Sequence, residues 1–345
     1  MYPETRLEKT KRVIKWLDGD TAGPTKMEVE ITDLCNLRCT FCWQRSAPRA
    51  QDIDPTRELS DERWFEIVDE SARLGVLEWR ICGGGEPLCR KRATLGIIDR
   101  LKGHGMAAQL TTNGVLFRED ELKRLVENGL DILEFSLEAP STEDNDPLRG
   151  KGVFESVQNA IRTVNRYRDL FKTKLPRVQI SAVLVRENYR TMVDMMRWAG
   201  REKIDKISYN PLTVMGAATP EGLAVQNMKL VDSDRIDMQS IILEAKAVAD
   251  GAGVETNVEQ FQDLALVAST NTMNEVIVRN VETRQAAVPD DDPLIDLPDK
   301  YNLPCYGPWY CIAIRPYGKA GACVLFDETG VDLHAMSLEE VWYSD

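Results

Sequence analysis

The sequence predicts an α/β fold with a parallel sheet, and three observations carry that expectation. Six apolar, β-rich segments recur between residues 26 and 215, amphipathic stretches of helical period separate them, and glycines sit where the helices should stop. Strands alternating with helices pair in parallel through right-handed crossovers, so six of them make either an open doubly wound sheet or an incomplete barrel.

The elements follow in order. Residues 1–25 form a charged N-terminal segment and 26–32 the first strand. Ser60 supplies an N-cap hydroxyl, and Asp61 and Glu62 the first-turn acids, of a helix over 60–74 that stops at Gly75. Strand 76–82 comes next, then helix 91–103 with Gly105 past its end, strand 107–112, and helix 119–128 closed by Gly129. Strand 132–137, helix 153–171, strand 178–185, helix 189–202 and strand 206–210 complete the alternation. Over 216–300 the chain reads as helical or irregular, with good helical pattern at 232–250 and a Pro- and Asp-rich linker at 285–300. At Tyr301 the composition changes. Cys305, Cys311 and Cys323 stand among Gly, Pro and aromatic residues, which predicts a small metal-supported module over 301–345.

Composition narrows the function classes. With 345 residues, 43% hydrophobic and 29% charged, the chain has ordinary globular usage. The N-terminus is too charged for a signal peptide, and no run of about 18 apolar residues exists to span a bilayer, so a cytoplasmic location is expected. In a reducing cytosol eight cysteines read as metal ligands, catalytic groups or buried thiols rather than disulfides. A net charge of −13 without a basic cluster argues against nucleic acid as a partner and favours a cationic substrate.

Cysteines 35, 39 and 42 follow directly after the first strand. Three thiolates can hold three irons of a [4Fe–4S] cube and leave the fourth iron open to a ligand. Zinc is the alternative, but a structural zinc site needs four protein ligands, and the only histidines, His104 and His334, are distant in sequence.

The pattern Cys35-x3-Cys39-x-Phe41-Cys42 resembles the signature of radical S-adenosylmethionine (radical SAM) enzymes. Gly83-Gly84-Gly85-Glu86-Pro87, at the end of the second strand, resembles the segment with which that family binds the methionine amino group of its cofactor. Glycines let backbone approach closely, and a carboxylate can accept from an ammonium. Thr111-Thr112-Asn113-Gly114 closes the third strand and Phe135-Ser136-Leu137-Glu138 the fourth, each similar to the family's turns, and Leu148-Arg149-Gly150 resembles the loop into the next helix. Alone, each segment reads as a tight turn or a surface cation. Ordered at successive strand ends, where barrels and open sheets place ligands, they favour the family.

The resemblance implies a partial (β/α)6 TIM-like barrel over 26–215, with Cys35, Cys39 and Cys42 as cluster ligands. It implies S-adenosylmethionine (SAM) contacts from Phe41, Gly84, Gly85, Glu86, Pro87, Thr112, Asn113, Ser136, Glu138, Arg149 and Val183, the last beside the adenine. The reaction implied is reductive cleavage of SAM to a 5′-deoxyadenosyl radical that abstracts hydrogen, with the electron from a flavodoxin- or ferredoxin-type donor. Cys305, Gly318 and Cys323 are spaced as in the opening of a SPASM or twitch extension, with a hairpin turning at Gly318 and a helix from Ser337 to Trp342. Cys305, Cys323 and Cys311 are then the candidate ligands of an auxiliary iron–sulfur cluster. The family's later cysteines do not follow before Asp345, so a truncated sequence, a cluster with an open iron, and a hairpin of buried thiols all stay open.

The expected substrate is a small molecule, an amino sugar or cyclitol oxidised or epimerised in natural-product biosynthesis, because residues 1–25 are short for a peptide-recognition domain. Modification of ribosomally made peptides or sulfatase maturation is the alternative, and a non-catalytic iron–sulfur protein is the reading from another class. Candidate catalytic groups are Cys82 and Cys89, which flank the glycine turn and could donate a hydrogen atom, and Tyr209. The ordinary reading of both cysteines is a buried thiol.

Overall fold

The computed structural model describes residues 3–46, 53–214, 220–261, 307–321 and 331–344. Cys305, Cys323 and the expected linker at 285–300 lie outside the described residues. In chain order the elements are α1 (Pro3–Leu17), β1 (Lys26–Val29), α2 (Trp43–Ser46), α3 (Asp61–Arg73), β2 (Glu78–Ile81), α4 (Lys91–Gly103), β3 (Ala107–Thr112), α5 (Glu119–Glu127), β4 (Ile132–Ser136), α6 (Thr142–Arg149) and α7 (Val153–Phe171). Then come β5 (Arg177–Leu184), α8 (Met192–Arg201), β6 (Lys206–Pro211), α9 (Pro220–Gln226), α10 (Arg235–Ala252), β7 (Glu255–Thr256), β8 (Cys311–Ile314), β9 (Ala320–Gly321) and α11 (Leu338–Trp342).

The strands of the described residues form one sheet in the order β7-β6-β5-β4-β3-β2-β1-β8-β9. From β1 to β7 every neighbouring pair is parallel and spatial order follows chain order without a reversal. Doubly wound sheets reverse their order at a switch point, so the arrangement is the incomplete barrel of the two topologies left open by the sequence.

The side-chain period of two separates the faces. On β5, Val178, Ile180, Ala182 and Leu184 join the hydrophobic core, while Gln179 and Ser181 line an inner cavity. Trp64 and Trp79 are fully buried, and the Trp79 indole donates to Ser71 Oγ at 3.0 Å. The inner face is polar: Arg80, Gln109, Glu134, Gln179 and Ser208 line a cavity of about 500 Å³. TIM-barrel lumens are usually packed with branched apolar residues, so this one is built to hold water or a ligand.

Two parts of the architecture were not expected. Residues 3–17 form a helix whose Arg12 guanidinium donates to Gly23 O, Pro24 O and Gly75 O, tying α1 to the approach of β1 and the end of α3. The first strand of the C-terminal hairpin also pairs in parallel with β1, Lys26 opposite Cys311 and Val29 opposite Ile314, so the hairpin extends the barrel's own sheet. Among the described residues no helix is long and apolar enough to cross a membrane.

Candidate active site

The cysteine loop leaves β1 through a buried polar frame. Glu58 Oε1 accepts from Thr32 Oγ1 at 2.8 Å and from Asp33 N at 2.9 Å. Gln44 donates to the Asp33 carbonyl and carboxylate at 3.1 Å, and Arg90 donates to Leu59 O at 2.7 Å while lying 3.4 Å from Glu58. Further along, Thr40 N donates to Leu148 O at 2.9 Å, which ties the loop to the end of α6.

The glycine turn lies flat against that loop. Gly85 N donates to Thr32 O and Glu86 N to Leu34 O, both at 2.7 Å. Gly83 and Gly84 have φ of +66° and +57°, a region in which side chains are rarely tolerated. Glu86 is buried, which pushes its carboxyl pKa up, and it accepts from Thr112 Oγ1 at 2.6 Å, Asn113 N at 2.7 Å and Leu88 N at 3.0 Å. Its carboxylate therefore joins the turn after β2 to the turn after β3, a role the sequence did not suggest. Asn113 Nδ2 donates to Asn36 Oδ1 at 2.8 Å, so the third strand's turn also grips the cysteine loop.

On the other side stands a fully buried ion pair. Arg149 donates to Glu138 Oε1 through Nε at 2.8 Å and Nη2 at 2.5 Å, and Val183 N donates to Glu138 Oε2 at 2.6 Å. The guanidinium lies 5.3 Å over the Phe41 ring and 3.8 Å from Cys39 Sγ. Burial raises the Cys39 thiol pKa, and the cation opposes that rise by favouring the thiolate.

These parts enclose a cavity of about 540 Å³. Of the residues expected to serve the cofactor and cluster, Cys35, Cys39, Cys42, Phe41, Gly84, Gly85, Glu86, Thr112, Asn113, Ser136, Arg149 and Val183 all line it. Pro87 and Glu138 do not: Pro87 begins the short turn behind Glu86, and Glu138 stands behind Arg149. Cys82, Cys89 and Tyr209 are also off the wall. Burial pushes the Cys82 thiol up to about 11 against the pull of Arg80, and Cys89 sits in the turn Pro87–Arg90. Tyr209 is buried in the hydrophobic layer outside the sheet, whereas its neighbour Asn210 lines both cavities. Cys311, the one described cysteine of the expected auxiliary set, is buried within β8 beside Lys26, at the far end of β1 from the cysteine loop.

Among the described residues no three Cys, His, Asp or Glu side chains converge as ligands of one metal ion would. Three thiols instead share the rim of one cavity, which suits three corners of a cubane and leaves room beside it for a ligand of the open iron. The donor set thus fits a [4Fe–4S] cluster better than zinc.

Comparison with known proteins agrees. Residues 29–199 match the family model described as the radical SAM superfamily. The chain is 27% identical over 222 residues to the tungsten-containing aldehyde ferredoxin oxidoreductase cofactor-modifying protein of Pyrococcus furiosus, covering 64% of this chain and 59% of the relative. It is 32% identical over 127 residues to the PqqA peptide cyclase of Granulibacter bethesdensis, covering 37% and 32%. The crystal structure of Streptococcus suis SuiB bound to precursor peptide SuiA superposes with a TM-score of 0.66 at 16% identity, covering 100% of this chain and 71% of that one. The chain spans about half the length of the curated relatives it matches.

A partial barrel with three rim cysteines facing a glycine turn is the arrangement expected of the radical SAM class. The chain belongs to the radical SAM superfamily, whose cofactors are SAM and a [4Fe–4S] cluster.

Proposed function

We propose that this protein modifies a peptide, abstracting hydrogen from one of its residues, and that residues 301–345 belong to a SPASM-type extension. The observation that carries this reading is the 127-residue stretch that is 32% identical to a PqqA peptide cyclase. It displaces the amino sugar as the favoured substrate, since the acidic net charge is the main support for a cation and serves solubility equally well.

When bound, the cluster and SAM supply the 5′-deoxyadenosyl radical. The protein's own groups then orient the partners. Arg149 and the turn 83–86 frame the cofactor side of the cavity, while Thr111, Ser136 and Asn210 offer neutral hydrogen-bonding groups to peptide amides. Among the described residues the cysteines on the cavity wall are the three rim thiols, Cys35, Cys39 and Cys42. We assign oxidation or ring-forming coupling as the outcome, in keeping with the peptide cyclase among the relatives, with a flavodoxin- or ferredoxin-type protein as electron donor.

Reconstituted, reduced protein incubated with SAM and a randomised peptide library should show a peptide-dependent rise in 5′-deoxyadenosine together with a mass change on a subset of peptides. A rise with amino sugars or cyclitols and none with peptides would overturn the reading.

A further inference from the structure

We infer that Arg315, on the C-terminal hairpin, is a positioning residue for SAM that acts through Glu30 on the turn Gly83–Gly84. The inference rests on the family assignment and does not depend on whether the substrate is a peptide.

Glu30 follows β1 and is 2% exposed, and Arg315 follows β8 and is 8% exposed. Arg315 Nη1 lies 2.9 Å from Glu30 Oε2. The other oxygen of the same carboxylate supports the glycine turn: a Cβ placed on Gly83 would fall 2.7 Å from Glu30 Oε1 and 3.2 Å from its Cγ. A Cβ on Gly84 would fall 3.4 Å from Glu30 Cβ. The Glu30 side chain is therefore the floor of the turn, in contact with the two glycines of positive φ.

A buried carboxylate keeps its position and charge only when paired, because desolvation of an unpaired ion costs several kcal/mol. Arg315 supplies the pairing, and its backbone is itself fixed. Glu30 N donates to Ile314 O at 2.9 Å, Arg315 N donates to Lys319 O at 2.8 Å, and Leu59 N donates to Pro316 O at 2.8 Å. The order of support runs from hairpin to Arg315, to Glu30, to the turn, to the cofactor. Lysine at 315 would keep the charge but lose the fixed guanidinium geometry behind the single Nη1–Oε2 bond.

The test compares Arg315→Met and Arg315→Lys with the unsubstituted holoprotein, reading bound iron, SAM affinity by equilibrium dialysis, and the electron paramagnetic resonance spectrum of the reduced cluster with and without SAM. We expect iron content and the SAM-free spectrum to be retained. Affinity for SAM should fall about tenfold or more in Arg315→Met, as is typical when an outer-shell support is removed, with the SAM-induced spectral change reduced. Arg315→Lys should fall between the two. Unchanged affinity in a folded Arg315→Met overturns the inference, as does loss of SAM binding only in proportion to lost iron, which is what a purely structural role produces. If Arg315→Met fails to fold, Arg315→Lys decides: weaker SAM binding at full iron supports the inference, and unchanged affinity overturns it.

Discussion

Alanine at Gly85 should abolish SAM binding and strongly reduce cluster assembly while leaving the barrel folded. A Cβ there would fall 1.9 Å from Leu34 O, 2.5 Å from Leu34 C and 2.6 Å from Asp33 C. These are backbone atoms, so no side-chain rotation relieves the overlap. The turn and the cysteine loop must separate, breaking the two 2.7 Å backbone bonds that join them, and Leu34 moves with Cys35 attached to it. Overpacking of this kind costs about 1–3 kcal/mol of stability. Gly103→Ala is the control, because a Cβ at the end of α4 meets nothing within 4 Å. Thermal unfolding and iron content of the two variants, measured side by side, check the expectation; equal iron and equal SAM binding in both would contradict it.

Arg149→Leu should destabilise the fold by about 3–5 kcal/mol, because it leaves the fully buried Glu138 charge without its partner. Replacing both partners by apolar residues should recover much of that loss, since the uncompensated charge goes with them. The deficit also has a predictable pH dependence. Burial already raises the Glu138 pKa despite Arg149, and without Arg149 it rises further. A carboxyl whose pKa is higher in the folded state binds more protons there, so stability falls as pH rises. Denaturant unfolding of Arg149→Leu should therefore show a smaller deficit at mildly acidic than at alkaline pH; a deficit that grows on acidification would refute this. The double variant should regain stability without regaining the cation beside Cys39, so its cluster should stay impaired.

The local elements were legible where periodicity and punctuation agree. Helices Lys91–Gly103 and Val153–Phe171 and strand Ala107–Thr112 fall at the expected residues, because each pairs an amphipathic or alternating pattern with clear end signals. Helix Thr142–Arg149 was not expected: Pro147, a helix breaker, lies inside it, and only its last residues stood out, as part of the loop into the next helix. The helix expected over 189–202 begins as a tight turn, Tyr189–Thr191, before α8. The cysteine and glycine motifs exposed about half of the cavity wall, because each closes a strand at the same end of the barrel, whereas Gln44, Leu212 and Thr213 belong to no motif.

What stayed hidden was the framework behind the wall. Glu30, Glu58, Arg90 and Arg315 look like ordinary surface charges in the sequence, and only the fold buries or pairs them. Glu30 and Arg315 are 285 residues apart, and no local pattern announces that β8 lies beside β1. Cys82 and Cys89 drew attention by flanking the glycine turn and Tyr209 by residue type, and neither signal distinguishes a cavity wall from the layers behind it.

The most direct test of the central claim is 5′-deoxyadenosine formation by anaerobically reconstituted protein with SAM and a strong reductant, compared with a variant carrying Cys35→Ala, Cys39→Ala and Cys42→Ala together. The account predicts that the unsubstituted protein cleaves SAM and that the triple variant, though folded, forms none above the protein-free background. Equal 5′-deoxyadenosine from both would contradict it and remove the cluster from these three cysteines.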